Sequence, residues 1–257
     1  MLTPPEIARS LLAAGESKAR LPLGKMLLLA ILAGAYIALA GVGATAAAVT
    51  VESGSLAKLL SACVFPAGLS MVILAGSELF TGNCLMVMAL LERCITPAQL
   101  LRNWLTVYLG NAVGGAAVAA LAVYSHTASL FGDGLARSMV SIAESKAALG
   151  FGDAFLRGVL CNFLVCLAVW MAAASKRAEG KVIALFFPIL LFVLCGYEHC
   201  IANLYYLPAG AFAAAEYGME TTLTLAGCLE NLAAVTLGNL VGGATLGVGY
   251  RFAYLKE

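Results

Sequence analysis

Long uncharged runs separated by short charged clusters dominate the chain. Cutting at the charges leaves apolar stretches at 26–51, 59–77, 103–132, 158–175, 182–197 and 231–250. A helix crossing a bilayer core takes about 20 such residues, so each stretch is a predicted span. The second and fifth stretches stop short, each at a single acid, Glu78 or Glu198, beyond which the chain is apolar again over 79–91 and 199–215. Each is therefore read as one span broken near its middle. The runs are continuous rather than alternating, which excludes the strands of a barrel. The predicted fold class is an all-α membrane protein with six transmembrane helices, the second and fifth of them broken.

Comparing the chain with itself shows the same features recurring 120 to 128 residues apart. Phe65-Pro66 answers Phe187-Pro188, Gly76-Ser77-Glu78 answers Gly196-Tyr197-Glu198, and Asn83 answers Asn203. Leu109-Gly110-Asn111-x-Val-Gly-Gly likewise answers Leu237-Gly238-Asn239-x-Val-Gly-Gly. Three spans per repeat is an odd number, so the halves must be inserted in opposite senses. The expected organisation is one transmembrane channel domain over 1–257, with an amphipathic helix at 1–22, a first repeat at 23–125 and a second, inverted repeat at 126–257. Thr3-Pro4-Pro5-Glu6 supplies the start signal of the amphipathic helix, and Ile7, Leu11 and Leu12 share one face that is expected to lie on the cytoplasmic membrane surface.

Composition confirms the class. Of 257 residues, 62% are hydrophobic and 11% charged, and the mean hydropathy is +0.94, so a soluble globule would lack a polar surface. A net charge of +1 excludes a nucleic-acid footprint. With both termini cytoplasmic, Arg9, Lys18, Arg20, Lys25, Arg93, Arg102, Lys176, Arg177, Lys181, Arg251 and Lys256 fall inside, against only Lys58, Arg137, Lys146 and Arg157 outside. Trp104, Trp170 and Tyr250 then mark the inner interface. Of the eight cysteines, Cys63, Cys84, Cys161, Cys166, Cys195, Cys200 and Cys228 fall in or beside spans and are expected as buried thiols, with no metal site.

The candidate chemistry lies in the two breaks. Gly76, Ser77, Glu78, Gly82 and Asn83, with Thr81 among them, place glycines, an acid and hydrogen-bonding groups at mid-depth; the other break carries Gly196, Glu198, His199 and Asn203. Polar groups in hydrocarbon cost several kcal/mol unless satisfied, so their coincidence at equivalent positions points to a cavity. His199, one of two histidines, is the sharpest candidate for solute contact. Half-helices starting after each break aim positive dipole ends at the midplane, which favours an anion. Asn162 and Asn239 are open between pore lining and interhelical bonding. The spacings Gly110/Gly114 and Gly238/Gly242 are read as helix packing.

On Gly76-Ser77-Glu78-Leu79-Phe80-Thr81-Gly82, on Cys161-Asn162 through Trp170-Met171, and on Gly196-Tyr197-Glu198-His199-Cys200-Ile201-Ala202-Asn203, the chain resembles the formate/nitrite transporters, small-anion channels of bacteria. The resemblance covers essentially the whole length. It implies an aquaporin-like fold, a homopentamer in the bacterial inner membrane with one pore per protomer, and no cofactor. It implies Leu79 with Phe192 as the cytoplasmic constriction, Phe65 with Leu69 as the outer one, and Thr81 with His199 as the central pair, with Glu198 beside it. It further implies Asn162 and Asn239 as polar pore positions and Lys146 as the charge that attracts the anion. Formate is the expected solute, carried passively or with a proton, with nitrite and hydrosulfide as alternatives. A neutral-solute pore would need neither Lys146 nor a titratable centre. An intramembrane enzyme is disfavoured because no Gly-x-Ser-Gly site is present and both aspartates, Asp133 and Asp153, lie outside the spans.

Overall fold

A computed structural model describes residues 1–255; Lys256, assigned above to the cytoplasmic side, lies outside the described residues. The elements in order are α1 (Pro4–Ala19), α2 (Leu23–Ala48), α3 (Gly54–Val64), α4 (Pro66–Ala75), α5 (Phe80–Asn83), α6 (Val87–Leu91), α7 (Pro97–Tyr124), α8 (Gly134–Ala147), α9 (Phe151–Ala173), α10 (Ala178–Leu194), α11 (Cys200–Glu216) and α12 (Leu225–Tyr254). Five helical stretches are long and apolar enough to cross a bilayer unaided: 23–48, 54–75, 97–124, 151–173 and 225–254. The sixth crossing combines α10 and α11, 17 residues each, on either side of the break at 195–199. Within the second crossing, Phe65 ends α3 and Pro66 opens α4, because proline brings no N–H to the helical ladder.

Uncharged runs located the spans and missed some helix ends. The third run, 103–132, overshoots: α7 stops at Tyr124, and the chain turns through His126, Phe131 and Asp133, all at positive φ. It also starts late, since Thr96 and Gln99 form a capping box ahead of Pro97, six residues before Asn103. Charge alone marks neither point.

α2 packs along α7, and α9 packs along α12 in the same way in the other half. Glycine permits both approaches. A Cβ at Gly110 would stand 2.5 Å from Ala30 Cβ, and one at Gly238 would stand 3.0 Å from Gly158 Cα.

α1 packs its apolar face on the protein itself: Ile7 packs with Met88 and Trp170, and Leu12 packs against the group of Ala19, Met86, Ala89, Ile95 and Leu100. α8 occupies the same place in the second half, so the amphipathic helix expected to stand apart at 1–22 has a counterpart within 126–257. Trp170 is 5% exposed, with its ring tilted against Tyr250 at 4.0 Å, and so is buried under α1 rather than standing in an interfacial belt. Of the cysteines expected as buried, Cys84, Cys161, Cys166 and Cys200 are; Cys63 and Cys195 are exposed on the protein surface and Cys228 is half-buried. A span residue hidden from water in a bilayer need not be hidden inside the protein.

Candidate functional site

The two breaks share one local design. Gly76 (φ 78°) and Gly196 (φ 70°) end α4 and α10 in the left-handed region, where a side chain would be strained. The chain then runs extended through Leu79 and His199, the N-cap residues of α5 and α11. Each break hangs on a neighbouring helix: Glu78 N–H donates to Leu29 O and Glu198 N–H to Arg157 O, both at 3.3 Å.

Two asparagines outside the breaks complete them. Asn111 Oδ1 accepts from Phe80 N–H at 3.0 Å, while its Nδ2 donates to Ala30 O and Glu78 O at 2.7 and 2.9 Å. Asn239 repeats this, accepting from Cys200 N–H at 2.9 Å and donating to Gly158 O and Glu198 O at 2.8 and 2.9 Å. Each satisfies backbone groups that a broken helix leaves orphaned where no water is available. Glu78 and Glu198 therefore do not cap the half-helices; their carboxylates turn outward to lysines.

Those lysines end the two amphipathic helices. Lys18 Nζ meets Glu78 at 2.7 Å, and Lys146 Nζ meets both oxygens of Glu198 at 2.9 and 3.0 Å. Asn83 Nδ2 bridges Glu78 and Asn103 Oδ1, at 2.7 and 2.9 Å; Asn203 Nδ2 bridges Glu198 and Asn231 Oδ1, both at 2.7 Å. In the second half the ring closes, because Asn231 Nδ2 donates to Lys146 O at 2.8 Å. Both glutamates are under a tenth exposed, so their negative charge is carried by these contacts.

At the centre the half-helices meet. Thr81 Oγ1 and His199 Nε2 are 3.0 Å apart, and both residues are buried. Ala202 N–H donates to His199 Nδ1 at 3.0 Å. A backbone N–H can only donate, so Nδ1 is the acceptor nitrogen and the neutral ring carries its proton on Nε2, facing Thr81. The repeat is broken at this point: His199 stands where the first half has Leu79, and Ile201 stands where it has Thr81.

Two cavities approach this pair from opposite sides and share no lining residue. One, of about 340 Å³, is lined by Lys146, Glu198, Phe65, Phe192, Tyr206 and His199. The other, of about 310 Å³, is lined by Lys18, Glu78, Ser77, Leu69, Leu79 and Asn83. The four predicted constriction residues are all buried, but they pair differently from the expectation. Phe192 stands with Phe65 on the Lys146 side, rings edge to face at 5.7 Å, and stacks on the His199 ring at 5.8 Å. Leu69 stands with Leu79 on the Lys18 side. One turn of α4 separates Phe65 from Leu69 and places them on opposite sides of the plug.

Asn162 and Asn239 line neither cavity. Both are fully buried, and Asn162 Nδ2 is spent on Thr81 O and Asn239 O, at 3.3 and 2.7 Å, so they brace the walls rather than form them. Lys146 faces its cavity already paired. Lys18, Asn103, Asn111 and Asn231 were not among the predicted site residues, although Lys18/Lys146, Asn103/Asn231 and Asn111/Asn239 all stand at the same separation in sequence. The repeat already matched Asn111 to Asn239, and applying its spacing to every polar residue would have found Lys18, Asn103 and Asn231 as well.

Six crossings in two inverted halves, with broken helices meeting at a polar pair between two vestibules, define a membrane pore of aquaporin-like fold. The chain belongs to the formate/nitrite transporter family, whose sequence profile, described as "Formate/nitrite transporter", matches residues 5–253. It is 38% identical to a "Probable formate transporter" of Methanothermobacter thermautotrophicus over 99% of this chain and 98% of that one. Among solved structures it is similar to an "FNT family ion channel" (TM-score 0.87, 32% identity, 96% of this chain and 98% of that one) and to a "Pentameric formate channel with formate bound" (TM-score 0.81, 33% identity, 91% and 98%).

Proposed function

We propose that the chain conducts a small monovalent anion of a weak acid, formate first, through a pore in each protomer of a pentamer in the bacterial inner membrane. The observation that carries this reading is the Thr81–His199 hydrogen bond closing the path between two polar cavities. Opening that bond exposes a hydroxyl and an Nε2–H to one small solute, two donors suited to a carboxylate or nitrite oxygen. The relatives named as formate channels and transporters support formate over nitrite or hydrosulfide. The balance of Lys and Arg supports a cytoplasmic Lys18 cavity and an external Lys146 cavity, with both termini inside.

The apolar plug sets the energetic problem. A bare anion between Phe65, Phe192, Leu69 and Leu79 loses its hydration, whereas the protonated acid crosses as a neutral molecule. Flux is therefore favoured by acid on the side of uptake. The test is stopped-flow uptake of formate, nitrite, hydrosulfide, acetate and lactate into proteoliposomes over a pH series. Formate flux should rise as external pH falls. His199→Asn keeps a side-chain oxygen able to cap α11 while removing Nε2–H, and should lower the rate at least tenfold. Unaltered flux in that variant would sink the central site, and exclusion of formate would sink the substrate assignment.

A further inference from the structure

The resemblance gives Lys146 the task of drawing anions in, yet its ammonium is neutralised by a bidentate contact with Glu198. The same cavity wall holds two further cations, Lys58 and Arg157. Both are exposed, and among the described residues neither has a carboxylate within ion-pair distance. The four charges on this cavity are thus three positive and one negative. The Lys18 cavity carries only Lys18 and Glu78, already paired. One of the two extra cations has an equivalent fixed by backbone geometry: Arg157 O takes the Glu198 N–H in one break, and Leu29 O takes the Glu78 N–H in the other. The position that carries a guanidinium on the wall of the Lys146 cavity is thus held in the other half by a leucine, which brings no charge to the Lys18 side.

We propose that Lys58 and Arg157 are the anion-collecting residues of the Lys146 cavity, that Lys146 instead positions Glu198, and that the pore is consequently asymmetric, capturing dilute anions better from this face than from the Lys18 face. The proposal rests on the anion-pore reading. It also reaches past the rim, since Lys58 borders a second, hydroxyl-lined hollow formed with Thr45, Ser61, Ser138 and Ser141, which widens the area over which anions are gathered. Each unit charge about 10 Å from an approaching monovalent anion in water multiplies its local concentration by about two, so the pair is worth about fourfold. Such attraction acts at low ionic strength, where screening reaches roughly 30 Å at 0.01 M, and vanishes near 1 M, where it falls to roughly 3 Å.

The experiment measures sided formate flux in oriented proteoliposomes for the unaltered protein, Lys58→Gln/Arg157→Gln and the charge-keeping Lys58→Arg/Arg157→Lys, at low and at high salt. At low salt the neutralised variant should show an apparent KM about fourfold higher for formate arriving at the Lys146 face, no change at the Lys18 face, and convergence with the unaltered protein at high salt. The charge-keeping variant should match the unaltered protein throughout. An unchanged KM at the Lys146 face, an equal loss from both faces, or a loss shared by the charge-keeping variant overturns the proposal while leaving the pore intact. No formate flux in the unaltered protein overturns the anion-pore reading itself.

Discussion

Replacing Asn239 by alanine tests whether the breaks are held by side chains borrowed from a neighbouring span. The substitution removes three hydrogen bonds of 2.8 to 2.9 Å. Gly158 O lies within α9 and keeps access to the helical ladder, so its loss is slight. Cys200 N–H opens α11 and Glu198 O lies in the break, so both become buried polar groups without partners. Each such group costs about 1–3 kcal/mol, giving about 2–6 kcal/mol together. At roughly 2–4 °C per kcal/mol for a chain of this size, the apparent Tm of the detergent-solubilised protein should fall on the order of 10 °C. Formate flux should fall with it, because the same change frees the backbone next to His199. The comparison variant is Thr245→Ala, which removes one exposed hydroxyl contact to Val241 O and should shift Tm by less than about 2 °C. If Asn239→Ala melts alongside Thr245→Ala and keeps its flux, the break is not supported as argued.

Two further outcomes follow from local geometry. Gly196→Ala meets nothing within 4 Å, so its cost is only that of a left-handed alanine, about 1–2 kcal/mol, read as a Tm lower by about 3–6 °C; Gly110→Ala, which must displace Ala30, should cost more, and the reverse order would contradict the packing. Glu144, on the outer face of α8, accepts from Thr222 N–H at 2.7 Å and from the hydroxyls of Thr221 and Thr222, contacts that hold its carboxyl below the usual range. A lowered folded-state value means the contribution is present above the unfolded value and is lost as pH falls through the folded one, so the protection of Thr222 N–H relative to its intrinsic exchange rate should fall as pH drops below about 4.5, and Glu144→Gln should flatten that dependence.

The six crossings, the inverted repeat and the two breaks were legible because they rest on one-dimensional signals: run length, spacing, and glycine beside an acid. Thr81 and His199 were legible as polar residues in hydrocarbon, and the structure brings them together. The pairing of constriction residues was not legible. Phe65 and Leu69 lie one helical turn apart, and only the height of the opposing half-helices decides which cavity each faces. Asn162 and Asn239 stayed open between pore lining and interhelical bonding, and the structure favours the second over the pore positions that the resemblance implied, since sequence cannot say whether an amide faces a lumen or a neighbouring carbonyl. The pairing of Lys146 with Glu198 joins residues 52 positions apart on separate elements, and no local pattern signals it.

The capping contact on His199 has a consequence for the traffic of protons through its ring. With Nδ1 held by Ala202 N–H and Nε2–H turned to Thr81, the ring cannot take a proton from one compartment on one nitrogen and release it to the other from the second without unravelling the start of α11. Held in this way, His199 is a one-sided hydrogen-bond donor to whatever parts it from Thr81, and not a two-sided proton relay between the compartments.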